Sequence, residues 1–155
     1  MLHCGNASEW TGTGVDLVLT NPYAALPPCL RSTPAIVSNF AERKSRCEGY
    51  IGRELDEIAT WGRGHRNRVW VAGLDPVPVD LSDLIEDEET PRRGWFPLEL
   101  PLRLLRAYAR PGMTICDPFM GRGTVGKACL LLGMKFIGID RDPDRVELAR
   151  RYIGC

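Results

Sequence analysis

Several features that would place a protein at once are missing from this sequence. Histidine occurs twice, at His3 and His65, and neither has a cysteine or carboxylate beside it at a metal-ligand spacing. No metal site is expected. Cys4, Cys29, Cys47, Cys116, Cys129 and Cys155 include no Cys-x-x-Cys pair, and several lie in apolar runs, so reduced and mostly buried thiols are expected in place of a disulfide framework. No apolar stretch approaches the roughly 20 residues that span a bilayer, and the first residues lack a basic region followed by an apolar run. A cytoplasmic chain is expected. Charge of one sign is not in excess either: 20 Lys+Arg stand against 20 Asp+Glu. Affinity for a polyanion must then come from local clusters and not from the field of the whole molecule.

What is present is a globular balance, 44% hydrophobic and 26% charged over 155 residues, the size of one ordinary domain. The segment from Trp95 onward alternates helix, strand, helix, strand and helix signals. Leu98, Leu102, Leu105 and Tyr108 recur at helical spacing until Arg110-Pro111-Gly112 turns the chain. A strand is expected at Met113 to Cys116, a helix at Val125 to Leu132, a strand at Lys135 to Ile139, and a last helix from Asp142-Pro143, where proline suits a first turn. Nearer the start, Val15 to Thr20 is an apolar strand halted by Asn21-Pro22-Tyr23. The middle, 24–94, is less regular. It offers a charged helix around Glu48 to Trp61, a basic stretch Arg63 to Arg68, a strand Arg68 to Ala72, and an acidic run Asp75 to Glu89 that reads as a solvated loop.

The sharpest motif is Asp117-Pro118-Phe119-Met120-Gly121-Arg122-Gly123-Thr124, a strand-to-helix turn. Its glycines let the backbone approach a ligand, and the helix after it offers unpaired N–H groups. It lacks the Gly-Lys-Ser/Thr of a phosphate loop. About 20 residues on, Gly138-Ile139-Asp140 sets an acid at the end of the next strand, where it can take both hydroxyls of a ribose. Together these read as a nucleoside-cofactor site in a doubly wound sheet.

The string from Asp117 to Asp140 resembles the S-adenosylmethionine-binding half of the DNA amino-methyltransferases, in which D-P-F-x-G-x-G-T precedes a strand ending in an acid. Trp95 to Pro101 looks like that family's motif across the methionine end of the cofactor. Val15 to Tyr23 resembles its catalytic strand and Asp/Asn/Ser-Pro-Pro-aromatic loop, here one proline shorter, and Leu2 to Ala7 the short strand carrying Asn6 where the family often has Asp. With the catalytic loop first and the cofactor loop last, the order resembles the β group. Joining the last helix to the first strand would restore an uninterrupted Rossmann-like path. The resemblance covers about 1–23 and 95–155. It implies an α/β, Rossmann-like S-adenosylmethionine-dependent methyltransferase fold with circularly permuted motif order and a reduced sheet. Residues 1–155 would form one domain: a catalytic-loop half 1–23, a variable insert 24–94, and a cofactor half 95–155. It implies S-adenosylmethionine held by Asn6, Phe96, Pro97, Asp117, Pro118, Phe119, Gly121, Gly123, Thr124 and Asp140, with Asn21, Pro22 and Tyr23 catalytic.

The chemistry asked of Asn21-Pro22-Tyr23 follows from the substrate. An exocyclic amine on adenine or cytosine is a poor nucleophile because its lone pair is delocalised into the ring. The Asn21 side-chain oxygen and the Pro22 carbonyl would accept its two hydrogens and favour a tetrahedral nitrogen, and Tyr23 would stack on a base rotated out of the duplex. Thr20 is the alternative to Asn21, although a hydroxyl is a poorer acceptor. DNA contacts are expected at Arg63, His65, Arg66 and Arg68, which have no acid among them. A second group, Arg43, Lys44 and Arg46, reads equally as a solvated helix face. The expected function is methylation of an exocyclic amine in DNA, adenine N6 ahead of cytosine N4. A homodimer or a separate specificity partner would complete target recognition. The alternatives are a non-catalytic or partner-dependent relative that keeps the cofactor fold, and an enzyme acting on an RNA or protein amine.

Overall fold

The computed structural model describes residues 1–40, 43–62, 67–84 and 96–155. Among them run β1 (Leu2–Cys4), β2 (Leu17–Thr20), β3 (Ala35–Phe40), α1 (Lys44–Ile51), β4 (Asp56–Trp61) and β5 (Asn67–Ala72). The second half holds α2 (Glu99–Tyr108), β6 (Thr114–Asp117), α3 (Thr124–Leu131), β7 (Lys135–Asp140) and α4 (Pro143–Ile153). All seven strands join one sheet in the order β1-β7-β6-β2-β3-β5-β4. The pairs β1/β7, β7/β6, β6/β2 and β2/β3 are parallel. The hairpin of β4 and β5 is antiparallel, and β5 pairs antiparallel with β3. From β6 the chain winds outward through β7 toward β1. From β2 it winds the other way, through β3. The strand order therefore reverses between β6 and β2, and the crevice outside the carboxyl ends of such a pair is where open α/β sheets bind ligands.

Alternate strand residues face opposite sides of the sheet and build two cores. Leu17, Leu19, Ile36, Val69, Val71 and Ile115 pack with Leu100, Leu104 and Leu105 of α2 and Val125, Ala128 and Cys129 of α3. On the other face Val18, Val37, Trp70, Cys116 and Ile139 meet Cys47 and Ile51 of α1 together with Leu26 and Leu30. Helix α4 starts as its sequence dictates, with Pro143 in the first turn and the Asp142 carboxylate accepting from the Asp144 N–H at 3.0 Å. Among the described residues no helix is long and apolar enough to cross a membrane.

Four expectations are changed or refined. The charged helix expected over Glu48 to Trp61 is two elements: α1 ends at Gly52, whose φ of 75° is left-handed, and the chain resumes as β4. The sheet is not reduced in strand number, because β3, β4 and β5 all come from the middle segment; what is pared down is length, with three residues in β1 and four in β2 and β6. The described part of the acidic run is a loop with its acids exposed, as expected, but it is anchored to the fold. Leu81 and Leu84 are buried, Arg103 of α2 pairs with Asp83 at 2.5 Å and donates to the Asp80 carbonyl at 3.0 Å, and the Tyr108 hydroxyl bonds the backbone of Val77. The rest of the run, 85–89, lies outside the described residues. None of the six cysteines forms a disulfide, but only Cys47, Cys116 and Cys129 are buried, while Cys4, Cys29 and Cys155 are exposed.

Candidate active site

The crevice between β6 and β2 is built from the turns that leave these strands. Asp117 ends β6 and is 3% exposed. Its Oδ1 accepts from the Phe119 N–H at 3.0 Å and from the hydroxyl of Thr20, the last residue of β2, at 2.8 Å. Burial pushes the Asp117 carboxyl up to about 7 against these two bonds, with the Asp140 charge adding to the rise. At the end of β7 the Asp140 carboxylate accepts from the Gly121 and Asp142 N–H groups, each at 3.0 Å. One backbone bond to each oxygen leaves each able to accept a further hydroxyl.

A cavity of about 420 Å³ opens here, lined by Asn6, Ala7, Tyr23, Ala24, Pro118, Phe119, Gly121, Asp140, Arg141 and Arg145. That volume suits a nucleoside-sized ligand. A smaller recess adjoins it through Tyr23, Phe119 and Gly121, and is walled by Asn21, Phe96, Asp117, Met120, Arg122 and Thr124. Tyr23 meets Phe119 edge to face at 5.6 Å, and Arg145 lines the same cavity.

Most of the residues singled out from sequence come together at these two cavities. Asn6 is there with its Oδ1 already accepting from the Ser8 N–H at 3.1 Å, so its side chain also caps a short turn. Three others lie one layer back. Pro22 is buried and lines neither cavity. Pro97 is buried with its carbonyl accepting from the Leu100 N–H at 3.1 Å, at the start of α2. Gly123 has φ 86°, and a Cβ there would stand 2.9 Å from Ile153 Cδ1; its smallness serves the packing of α4 against the turn. Arg68 is exposed on β5 and pairs with Glu57 at 2.8 Å. Arg63, His65 and Arg66 lie outside the described residues. Sequence reasoning missed Arg141 and Arg145, whose only signal was their place just after Asp140. It also weighed Thr20 solely as a stand-in for Asn21.

The strand order and the nucleoside-sized cavity at its reversal define a Rossmann-like nucleoside-binding fold. Solved structures agree on the fold. M1.HpyAVI in its complex with S-adenosylmethionine is matched with a TM-score of 0.69 at 19% identity, across 97% of this chain and 98% of that one. The cytosine-N4-specific PvuII DNA methyltransferase is matched at 0.59 and 16%, across 96% and 84%. A family described as DNA methylase matches residues 65–151. Among curated relatives, the type II methyltransferase M.Cfr9I of Citrobacter freundii is 39% identical over 140 residues, 86% of this chain and 42% of that protein. M.XycI of Xanthomonas campestris pv. cyanopsidis is 30% identical over 136 residues, with the same shares. The chain belongs to the N6/N4 DNA methylase family and spans about two fifths of the length of these two relatives.

Proposed function

We propose that residues 1–155 form one methyltransferase domain that transfers a methyl group from S-adenosylmethionine to an exocyclic amine in DNA. The observation that carries this reading is the shared wall of the two cavities. Asn21 borders the recess together with Asp117 and Thr124, and that recess shares Tyr23, Phe119 and Gly121 with the larger cavity that Asp140 lines. The residues fit the cofactor: a 420 Å³ cavity for the nucleoside, an acid with spare acceptor capacity for its ribose, and a buried carboxyl for its ammonium group. When bound, S-adenosylmethionine supplies a methyl group activated by the sulfonium charge.

This chain's own residues do the rest. Asp140 would hold the ribose, Phe119 and Pro118 would flank the adenine, and Asp117 would take the ammonium group. Asn21 Oδ1, in the wall of the recess, would accept one hydrogen of the target amine, and the Pro22 carbonyl, one layer back in this structure, would accept the other once the base is seated, freeing the lone pair for in-line attack. Thr20 is 1% exposed and lines neither cavity, whereas Asn21 borders the recess, which favours Asn21 over Thr20 as the amine acceptor. Tyr23, 55% exposed at the mouth, stacks on the extruded base. The same two acceptors serve adenine N6, the first expectation, and cytosine N4. For DNA contact we retain Arg63, His65, Arg66 and Arg68. For sequence recognition we retain a homodimer or a separate specificity partner.

The test is to incubate the protein with methyl-labelled S-adenosylmethionine and unmethylated duplex DNA, digest the DNA, and identify labelled nucleosides by mass spectrometry. Label in 6-methyladenine or N4-methylcytosine is the expected result and names the base. Cofactor binding with no label in DNA, alone or with its partner, would refute the reading in favour of a non-catalytic relative.

A further inference from the structure

The contact between Thr20 and Asp117 joins the carboxyl ends of two neighbouring parallel strands, β2 and β6, from which the two loops of the site leave. Thr20 is 1% exposed, and its hydroxyl reaches Asp117 Oδ1 at 2.8 Å across 97 residues of sequence. The next residue on one side is Asn21. On the other side the same Oδ1 holds the Phe119 N–H and so sets the first bend of the cofactor turn. Asp117 Oδ2 has no protein partner among the described residues, and Asp117 lines the recess. A cationic ligand group entering the recess therefore meets a carboxylate whose other oxygen is tied to the base of the catalytic loop.

We propose that Thr20 is a positioning residue that couples cofactor occupancy to the catalytic loop: its bond to Asp117 strengthens when the carboxylate is charged opposite a cationic ligand, and thereby fixes the end of β2 from which Asn21-Pro22-Tyr23 projects. This rests on the cofactor reading above. A hydroxyl donating to a carboxylate is shorter and roughly twice as strong as one donating to a neutral acid. Because Asp117 is held near neutrality by burial, the charge on the acceptor is what a cationic ligand changes. The other groups facing it are Asp140 on β7, Arg122 in the turn, and the Cys116 thiol, Cys129 thiol and Tyr23 phenol. Burial raises all three of the last, so they stay uncharged across pH 6–9.

Two variants separate the hydroxyl from the shape. Thr20→Val keeps the branched side chain without the donor, and Thr20→Ser keeps the donor without the methyl. The measurements are calorimetric titration with S-adenosylmethionine between pH 6 and 9, and hydrogen-exchange protection of the Tyr23 and Ala24 amides with and without it. In the wild-type protein affinity should rise with pH to a plateau above a midpoint near 7, and the ligand should protect both amides. In Thr20→Val the midpoint should move up by about one pH unit, the loss of one hydrogen bond to a charged group. Its ligand-induced protection should fall away, while Thr20→Ser follows the wild type. If Thr20→Val does not fold, Asp117→Asn carries the test without ligand: protection at these amides should rise with pH in the wild type and stay flat in the variant.

An unshifted midpoint with intact protection in Thr20→Val would overturn the coupling. So would equal shifts in both Thr20 variants, since the lost methyl would then explain them. A wild-type protein that takes up no S-adenosylmethionine would instead overturn the cofactor reading beneath it.

Discussion

Replacing Asp117 by asparagine should make the unliganded protein more stable above neutral pH while impairing its ability to hold the cofactor. Asp117 is 3% exposed, and both bonds it receives fall on Oδ1, which an asparagine carbonyl can accept equally well. In the unfolded chain its carboxyl titrates near 3.8, and in the folded protein near 7. The folded state thus favours the protonated form. The stabilisation this gives is complete below about pH 4 and is lost as pH rises through about 7, where the buried group must ionise. At about 1.4 kcal/mol per pH unit, the interval corresponds to about 4 kcal/mol by pH 8. Asparagine stays neutral throughout. For a chain of this size, with a urea dependence of about 2 kcal/mol/M, the variant should unfold about 2 M later in urea than the wild type at pH 8, and the gap should close toward pH 4.5. Urea titrations followed by circular dichroism at several pH values measure that difference directly. A gap that stays constant with pH, or one that widens toward acid, would refute the assignment of a strained carboxyl at this site. S-adenosylmethionine affinity should meanwhile drop by about 10- to 100-fold, the worth of a charge-assisted bond.

Other perturbations probe the rest of the site. Asn21→Ala should abolish methyl transfer to DNA with cofactor affinity within about twofold of wild type by calorimetry; normal turnover would remove Asn21 from the mechanism. Asp140→Ala should lower cofactor affinity by about 10- to 100-fold and also destabilise the protein, because the Gly121 and Asp142 N–H groups lose their acceptor. Gly123→Ala pays about 1–2 kcal/mol for a side chain at φ 86° and a further 1–3 for crowding Ile153 and Ala149. At about 2–4 °C per kcal/mol its Tm should fall by about 4–20 °C in a thermal melt. Arg103→Ala should free the acidic segment that its pairs with Asp83 and Asp80 tether, visible as faster limited proteolysis around 75–84.

How much of this could be read from the residues alone depends on how far apart the partners lie. The run β6, turn, α3, β7, α4 is local: glycines mark its turns, Asp142-Pro143 marks its last helix, and each element ends within a residue or two of expectation. The β2 strand and its Asn-Pro stop were legible for the same reason. The segment around β4 was not. Asp56 to Trp61 alternates only loosely, with a register shift between Glu57 and Ala59, and it becomes a strand because β5 lies beside it. The anchoring of the acidic segment was hidden because its partners, Arg103 and Tyr108, belong to a helix some 20 to 30 residues further on. Thr20 escaped notice as a donor because its acceptor is 97 residues away. A nucleoside site was thus visible from its own loop, whereas the link to the catalytic strand was visible only in three dimensions.

That same separation orders events during synthesis. Strands β2, β3, β4 and β5 lie within residues 17–72 and can assemble as soon as they leave the ribosome, but the other neighbour of β2 is β6, which begins at Thr114. At about 5–20 residues per second, the apolar flank of β2 stays uncovered for several seconds. Strand β1 waits longer still, since its pairing partner β7 begins at Lys135. The half-built sheet therefore presents an open hydrogen-bonding edge, with Leu17 and Leu19 along it, to any other nascent chain. Yield on overexpression should consequently respond to slower translation or added chaperone more than to changes in the finished protein's stability.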